Sequence, residues 1–271
     1  MKIAFVGGGN MANAIIGGLL QNGVSARNVS VVEIDAAARA RLKEQYQVIA
    51  TQDLGEAVQD ASVVVLAVKP QQLHRVADHL RPRLLEHLVI SIAAGIRTID
   101  LSRWLGGYAR IVRVMPNTPA LVRAGVSALF AMPGADAQDR QAAESILKSV
   151  GTTLWVDRED LMDAVTAVSG SGPAYVFYVM EAMMQAAEAL GLSASAARQL
   201  TLETFYGAAS LARQSDESVG LLRARVTSKG GTTERAIQSL DSQQVKRHVA
   251  EAVLQAALRS RELGDELGKA D

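Results

Sequence analysis

The run Gly7-Gly8-Gly9-Asn10-Met11-Ala12 satisfies G-x-G-x-x-A directly after the apolar stretch Lys2–Val6. Each small residue in such a run has a steric task. The first glycine makes a tight turn, the second lets a pyrophosphate approach the backbone, and Ala12 lets the following helix close on the sheet. The start of that helix adds unsatisfied N–H groups and the positive end of its dipole. The segment therefore predicts a dinucleotide-binding loop, with Asn10 and Met11 in its first helical turn. About two dozen residues beyond Gly9, the second strand ends on Glu33, whose carboxylate can accept from the ribose 2′-OH of NAD(H) and repel a 2′-phosphate. No Arg directly follows it, since Arg39 and Arg41 lie a turn or more into the next helix. Taken alone, this favours NADH over NADPH. The other reading is that Glu33 or Asp35 simply begins that helix as an N-terminal carboxylate.

A second constellation lies far along the chain, at Val226-Thr227-Ser228-Lys229-Gly230-Gly231-Thr232-Thr233 before the helical run Glu234–Leu240. Two glycines and flanking hydroxyls before a helix start gather N–H donors into an anion site that suits a carboxylate or phosphate. Thr232 or Thr233 as a plain helix cap is the alternative. Ser169-Gly170-Ser171-Gly172-Pro173 is either a helix start or a wall of the same site. Three further loops, Ala67–Gln71, Ala93–Gly95 and Met115–Pro119, follow apolar runs and mix small residues with a few polar groups. In open α/β sheets a ligand lies beyond such carboxyl ends.

The missing chemistry narrows the reaction. With no Cys, thiol nucleophiles, disulfides and cysteine-held metals are excluded. The four histidines, His74, His79, His87 and His248, fall in helical stretches away from every glycine loop, and no HExxH run or carboxylate pair appears. Lys is absent between Gly172 and Ala189, where a lysine-dependent hydroxyacid dehydrogenase would carry one. Reduction of an already protonated imine needs no strong side-chain acid, whereas a carbonyl's developing alkoxide does.

These residues need elements to position them. Candidate strands lie at Lys2–Val6, Val29–Ile34, Val48–Ala50, Ser62–Val68, Leu88–Ala93, Arg110–Val114, Val126–Met132 and Thr153–Val156, most of them Val/Ile/Ala-rich runs lacking polar alternation. Such runs suit strands of a parallel sheet buried on both faces, and helix-length stretches separate them. Strands then stop. The expected fold class is α/β: a Rossmann-like, doubly wound N-terminal domain over 1–158, followed by an all-helical domain over 159–271. Within the latter, Ala174–Leu190 is apolar nearly all round, its polar Glu181, Gln185 and Glu188 forming one stripe. It reads as a subunit interface, or else as the central helix of a monomeric bundle. Gly264–Asp271 reads as a frayed end.

Composition bounds the rest. The chain has 271 residues, 49% of them hydrophobic and 21% charged, which excludes wholesale disorder. Its 28 Lys+Arg balance 28 Asp+Glu, so no basic footprint for nucleic acid exists. No leader-like segment and no apolar window of about 18 residues is present, so the expectation is a soluble cytoplasmic protein without a membrane partner.

The chain resembles the pyrroline-5-carboxylate reductase family. The resemblance is carried by Gly7–Ala12 (GGGNMA), Leu66–Gln71 (LAVKPQ), Met115–Pro119 (MPNTP), Asp163–Tyr175 (DAVTAVSGSGPAY) and Val226–Asp241 (VTSKGGTTERAIQSLD). It implies reduction of 1-pyrroline-5-carboxylate to L-proline by hydride from NADPH or NADH. It also implies that the Thr233 hydroxyl orients the ring nitrogen. The N–H groups of Gly231 and Thr232, in the loop with Gly230 and Ser228, would hold the substrate carboxylate. Glu159 matches an acidic residue near the substrate, while Val68, Lys69, Pro70, Ala94, Pro116 and Asn117 line the cofactor. A homodimer through the helical domain, extended to a decamer of five dimers, is implied as well. Two positions depart from the family: Leu54 stands where many relatives carry Asn, and Glu33-Ile34-Asp35 stands where NADPH-using relatives carry Ser, Asn or Arg.

Overall fold

The computed structural model describes residues 1–269. Eight strands form one sheet: β1 (Ile3–Val6), β2 (Val29–Val32), β3 (Ile49–Thr51), β4 (Val63–Leu66), β5 (Leu88–Ser91), β6 (Ile111–Met115), β7 (Gly125–Ala131) and β8 (Gly151–Trp155). Their spatial order is β3-β2-β1-β4-β5-β6-β7-β8, so the winding reverses beside β1, where β4 lies on its other side. All pairs are parallel except β6 with β7, which is antiparallel. This departs from the all-parallel expectation for a physical reason. Residues 116–124 between β6 and β7 make only a short 3-10 turn, whereas a parallel return needs a crossover of about a dozen residues or more.

Alternate residues of each strand feed two cores. Ile3 and Phe5 of β1 join Ile15, Ile16 and Leu88 on one face, while Ala4 and Val6 join Leu73, Ala77 and Leu80 on the other. The helices supplying these faces are α1 (Asn10–Gln21), α2 (Ala36–Tyr46), α3 (Leu54–Val58), α4 (Pro70–Leu80), α5 (Thr98–Trp104) and α6 (Ala137–Lys148). Five more follow the sheet: α7 (Leu161–Val165), continued by a π-helical turn Thr166–Gly170, then α8 (Gly172–Ala189), α9 (Ala194–Gln214), α10 (Val219–Arg225) and α11 (Thr232–Ser242). The long α12 (Val245–Leu267) ends the fold.

Compactness divides the chain at a different point from element type. One unit comprises Met1–Ser171 together with the segment from Ala256, and the other comprises Gly172–Gln255. The boundary expected at 158/159 marks the change of element type, and the compact unit runs past it because Met162 and Ala167 are buried within that unit. Ser260 Oγ of α12 also donates to Asp163 Oδ1 of α7 at 2.7 Å. The expected frayed end is likewise corrected up to Gly268. Gly264 is buried within α12, and Leu267 packs against the core, leaving Ala270–Asp271 outside the described residues. In the second unit, α8 buries none of its residues, and Phe177 and Tyr178 are 60% and 74% exposed. No described helix is long and apolar enough to cross a membrane.

Candidate active site

The glycine loop is built as its sequence requires. Gly7 leaves β1 with φ +104°, and its N–H donates to Val32 O at 2.9 Å. A Cβ there would lie 2.7 Å from Ala67 O, so the fold itself demands glycine. Gly9 is the N-cap of α1, and no side chain caps that helix. The first-turn N–H groups of α1, which Asn10, Met11 and Ala12 supply, are therefore available to an anion. Ala12 is buried against the sheet, as its small size predicts, and Met11 packs partly on the same core. Asn13, a residue sequence reasoning did not single out, steadies the loop by donating to Gly8 O and Gly9 O at 2.7 and 2.9 Å.

A cleft of about 410 Å³ opens on this loop. It brings together Gly7, Gly8, Gly9, Glu33, Val68 and Lys69, six of the predicted positions. Its far wall adds Gln72, Arg75 and Val76 from α4, which were missed. Their spacing from Lys69 places them on one helical face, the only sequence signal that would have revealed them. Pro70 starts α4 as its first residue, where its missing N–H costs nothing. Lys69 and Arg75 thus set two cations opposite the carboxylates of Glu33 and Asp35 in a cleft of suitable size for a nucleotide.

Glu33 is fixed by two backbone donors. Its Oε2 accepts from Gly8 N at 3.1 Å and its Oε1 from Asp35 N at 2.9 Å. Helix-starting duty falls instead to Asp35, which accepts from Ala38 N at 2.6 Å as the N-cap of α2. Asp35→Ala is accordingly expected to cost about 1 kcal/mol of stability, read as a lowered Tm. Arg39 reaches further back than its helical position suggested. Its Nη1 donates to Glu33 O and Ile34 O at 2.7 and 2.9 Å, so a guanidinium does stand at the end of β2.

The other cofactor-lining positions lie outside this cleft. Ala94 is exposed on the turn after β5, and Pro116 is buried after β6. The Asn117 amide is already committed: Oδ1 accepts from Val126 N at 2.9 Å, and Nδ2 donates to Ser169 O at 3.2 Å. It ties the loop after β6 to the π-helical turn, so Ser169 and Gly170 continue α7 instead of breaking it.

Glu159, expected near the substrate, is held within the first unit by Thr98 and Arg113. Its Oε1 accepts from Thr98 N and Arg113 Nη1 at 2.7 and 3.0 Å, and its Oε2 from Thr98 Oγ1 at 2.6 Å. Arg113 is only 5% exposed, and a guanidinium that deep needs a partner. The carboxylate therefore neutralises Arg113 and satisfies the start of α5.

In the second unit, Gly231 is the N-cap of α11, so Thr232 and Thr233 occupy its first two positions and neither caps it. Gly230 adopts φ +74°, and its N–H donates to Glu234 Oε2 at 2.7 Å. Gly231 N donates to Ser228 O at 3.0 Å. That bond corrects the expectation that the Gly231 N–H holds a carboxylate, because closing the turn consumes it. The Thr232 and Thr233 N–H groups remain as first-turn donors. Ser228, Thr232 and Thr233 are exposed, with hydroxyls bonded to no other described residue.

Comparison with known proteins matches two stretches of the chain to two family models. Residues 159–263 match the family model described as pyrroline-5-carboxylate reductase dimerisation. Residues 2–95 match one described as NADP oxidoreductase coenzyme F420-dependent. A pyrroline-5-carboxylate reductase of Pseudomonas aeruginosa is 46% identical over 269 residues, covering 99% of this chain and 98% of that protein. The chain belongs to the pyrroline-5-carboxylate reductase family. Its likeness extends to plants, with the reductase of Arabidopsis thaliana 36% identical over 97% of this chain and 95% of the relative. Among solved structures, the family member of Coxiella burnetii has a TM-score of 0.92 at 45% identity, covering 97% of this chain and 98% of that one. The pyrroline carboxylate reductase of Plasmodium falciparum, with NADP bound, has a TM-score of 0.88 at 29% identity over the same shares.

Proposed function

We propose that this chain reduces 1-pyrroline-5-carboxylate to L-proline with NAD(P)H, the last step of proline synthesis. The observation that carries the reading is kinship to reductases of this name along almost the whole chain, 46% identical over 99% of it. The bound cofactor supplies hydride to the imine carbon. The chain supplies the rest: the Gly7–Gly9 backbone and α1 start receive the pyrophosphate, and Lys69 and Arg75 balance its charge. Val68 and Ala94, with Pro116 beside them, shape the cofactor's surroundings. The Thr232 N–H and the Ser228 hydroxyl hold the substrate carboxylate, and Thr233 Oγ accepts from the protonated ring nitrogen. No side-chain acid is required, since nitrogen arrives carrying its proton. Steady-state assays with pyrroline-5-carboxylate and NADH or NADPH test the reading, and oxidation of neither cofactor would sink it.

The finer reading favours NADH. Glu33, aimed by Gly8 N and Asp35 N, suits a ribose hydroxyl and opposes a 2′-phosphate, although Arg39 and Arg75 stand close enough in sequence and fold to admit NADPH as a weaker alternative. Glu33→Ser is expected to shift the NADPH-to-NADH ratio of kcat/KM upward by about tenfold, the worth of roughly 1.4 kcal/mol. An unmoved ratio removes Glu33 from cofactor choice. The exposed apolar face of α8 supports a homodimer through the helical unit, with a decamer of five dimers as its further assembly. Sedimentation velocity reads both. The lack of cysteine and of any described membrane-crossing helix supports a place in the cytoplasm.

A further inference from the structure

The turn after β5 is held at both ends by elements that come much later in the chain. Gly95 takes φ +77°, and a Cβ there would lie 3.2 Å from Leu267 Cδ1 and 3.7 Å from Leu263 Cβ of α12. Two residues on, the Arg97 guanidinium lies flat against Gly264, where a Cβ would come within 3.1 Å of it. Arg97 Nη2 also pairs with Asp265 Oδ1 at 2.7 Å and donates to Arg261 O at 3.3 Å. At the other end, Thr98 donates twice to Glu159, as described above. The contact continues along α5, where Arg103 donates to Gly268 O and burial pushes the Asp100 carboxyl above its usual range, against the pull of Arg103 and Arg97. Immediately before these anchors Ala94 stays exposed.

The position of this turn gives the arrangement a purpose. It leaves the sheet beside β4, with Ile92 N donating to Leu66 O at 3.1 Å, and the residues following Leu66 form a wall of the nucleotide cleft. In an open α/β sheet this edge receives the ligand. We propose that the C-terminal stretch of α12, from Ala256 to Leu267, is a positioning element for cofactor binding, with Leu267 and Asp265 fixing the turn Ala93–Arg97 in its receptive shape. This rests on the reading that NAD(P)H binds at that edge. Folding stability does not explain the ion pair: Arg97 and Asp265 are 34% and 53% exposed, and so exposed a pair contributes little to folding. Its effect is geometric.

The test uses the full chain with Asp265→Asn, which keeps side-chain size, and Leu267→Ala. NADH and NADPH Kd are read by fluorescence titration, alongside Tm, kcat, and KM for cofactor and for pyrroline-5-carboxylate. Each variant is expected to raise cofactor Kd and KM about tenfold, the order expected for a displaced binding element. Imine KM should stay near wild type in both, Tm should hold in Asp265→Asn and fall in Leu267→Ala through lost packing, and Leu267→Met should restore Tm and the cofactor constants. Unchanged cofactor constants overturn the proposal. So does a parallel loss of imine KM and Tm, which marks general loosening. Wild-type chain that oxidises neither cofactor overturns the functional reading instead, so the two failures are told apart.

Discussion

Gly9→Val is expected to weaken NAD(P)H binding by about a hundredfold or more while leaving the ligand-free fold nearly intact. Gly9 has φ −72° and ψ −178°, a conformation open to any residue, and a Cβ there meets nothing within 4 Å. The fold therefore places no demand for glycine at this position. A ligand does, because a side chain on Gly9 would stand where a pyrophosphate must meet the first-turn N–H groups of α1. Charge-assisted hydrogen bonds contribute about 1.5–3 kcal/mol each, so losing two of them exceeds two decades in Kd. The stability cost is limited to a poorer N-cap, about 1 kcal/mol. Gly7 supplies the contrast, since φ +104° and the approach to Ala67 O make Gly7→Val damage fold and binding together. Fluorescence titration with NADH and a thermal melt separate the two effects. A stable Gly9→Val protein with wild-type Kd would mean that the pyrophosphate does not lie on this loop.

The same contrast shows why some of the site could be read from sequence and some could not. All eight strands were legible, most of them because Val- and Ile-rich runs without alternation have few other uses, whereas β8 is GTTLW with alternating burial. The reversed direction of β7 was not, because direction depends on what residues 116–124 can span. Glu33 was visible from its distance to the glycine loop. Arg39 was not, because its reach to Glu33 O depends on a long side chain doubling back over its own helix start. Nor were the partners of Glu159 legible. Its partner Arg113 lies 46 residues earlier, and burial of that guanidinium, invisible in composition or motif, claims the carboxylate. Gly264 and Gly268 suggested a frayed end because glycine disfavours helix. In the fold their lack of a side chain is what admits Arg97 and Asp100.

Thr233→Ala is expected to lower kcat/KM for pyrroline-5-carboxylate by about one to two decades, with cofactor Kd unchanged. One hydrogen bond to a charged ring nitrogen, about 1.5–3 kcal/mol, sets that size. Structure makes the experiment clean. Thr233 is the second residue of α11, exposed, and its hydroxyl does not cap the helix, so its removal breaks no hydrogen bond among the described residues. Alanine is moreover the better helix former, so Tm should hold or rise slightly. Activity and stability then move in opposite directions, which a folding defect cannot imitate. Thr233→Ser should retain most activity, and Thr233→Val, equal in shape but without the hydroxyl, should fall with alanine. The N–H groups of Thr232 and Thr233 survive every one of these changes, so carboxylate capture persists and the loss should appear mainly in kcat. A Thr233→Ala enzyme with unaltered kcat/KM would take Thr233 out of the mechanism and leave Ser228 and the α11 backbone as the whole substrate grip.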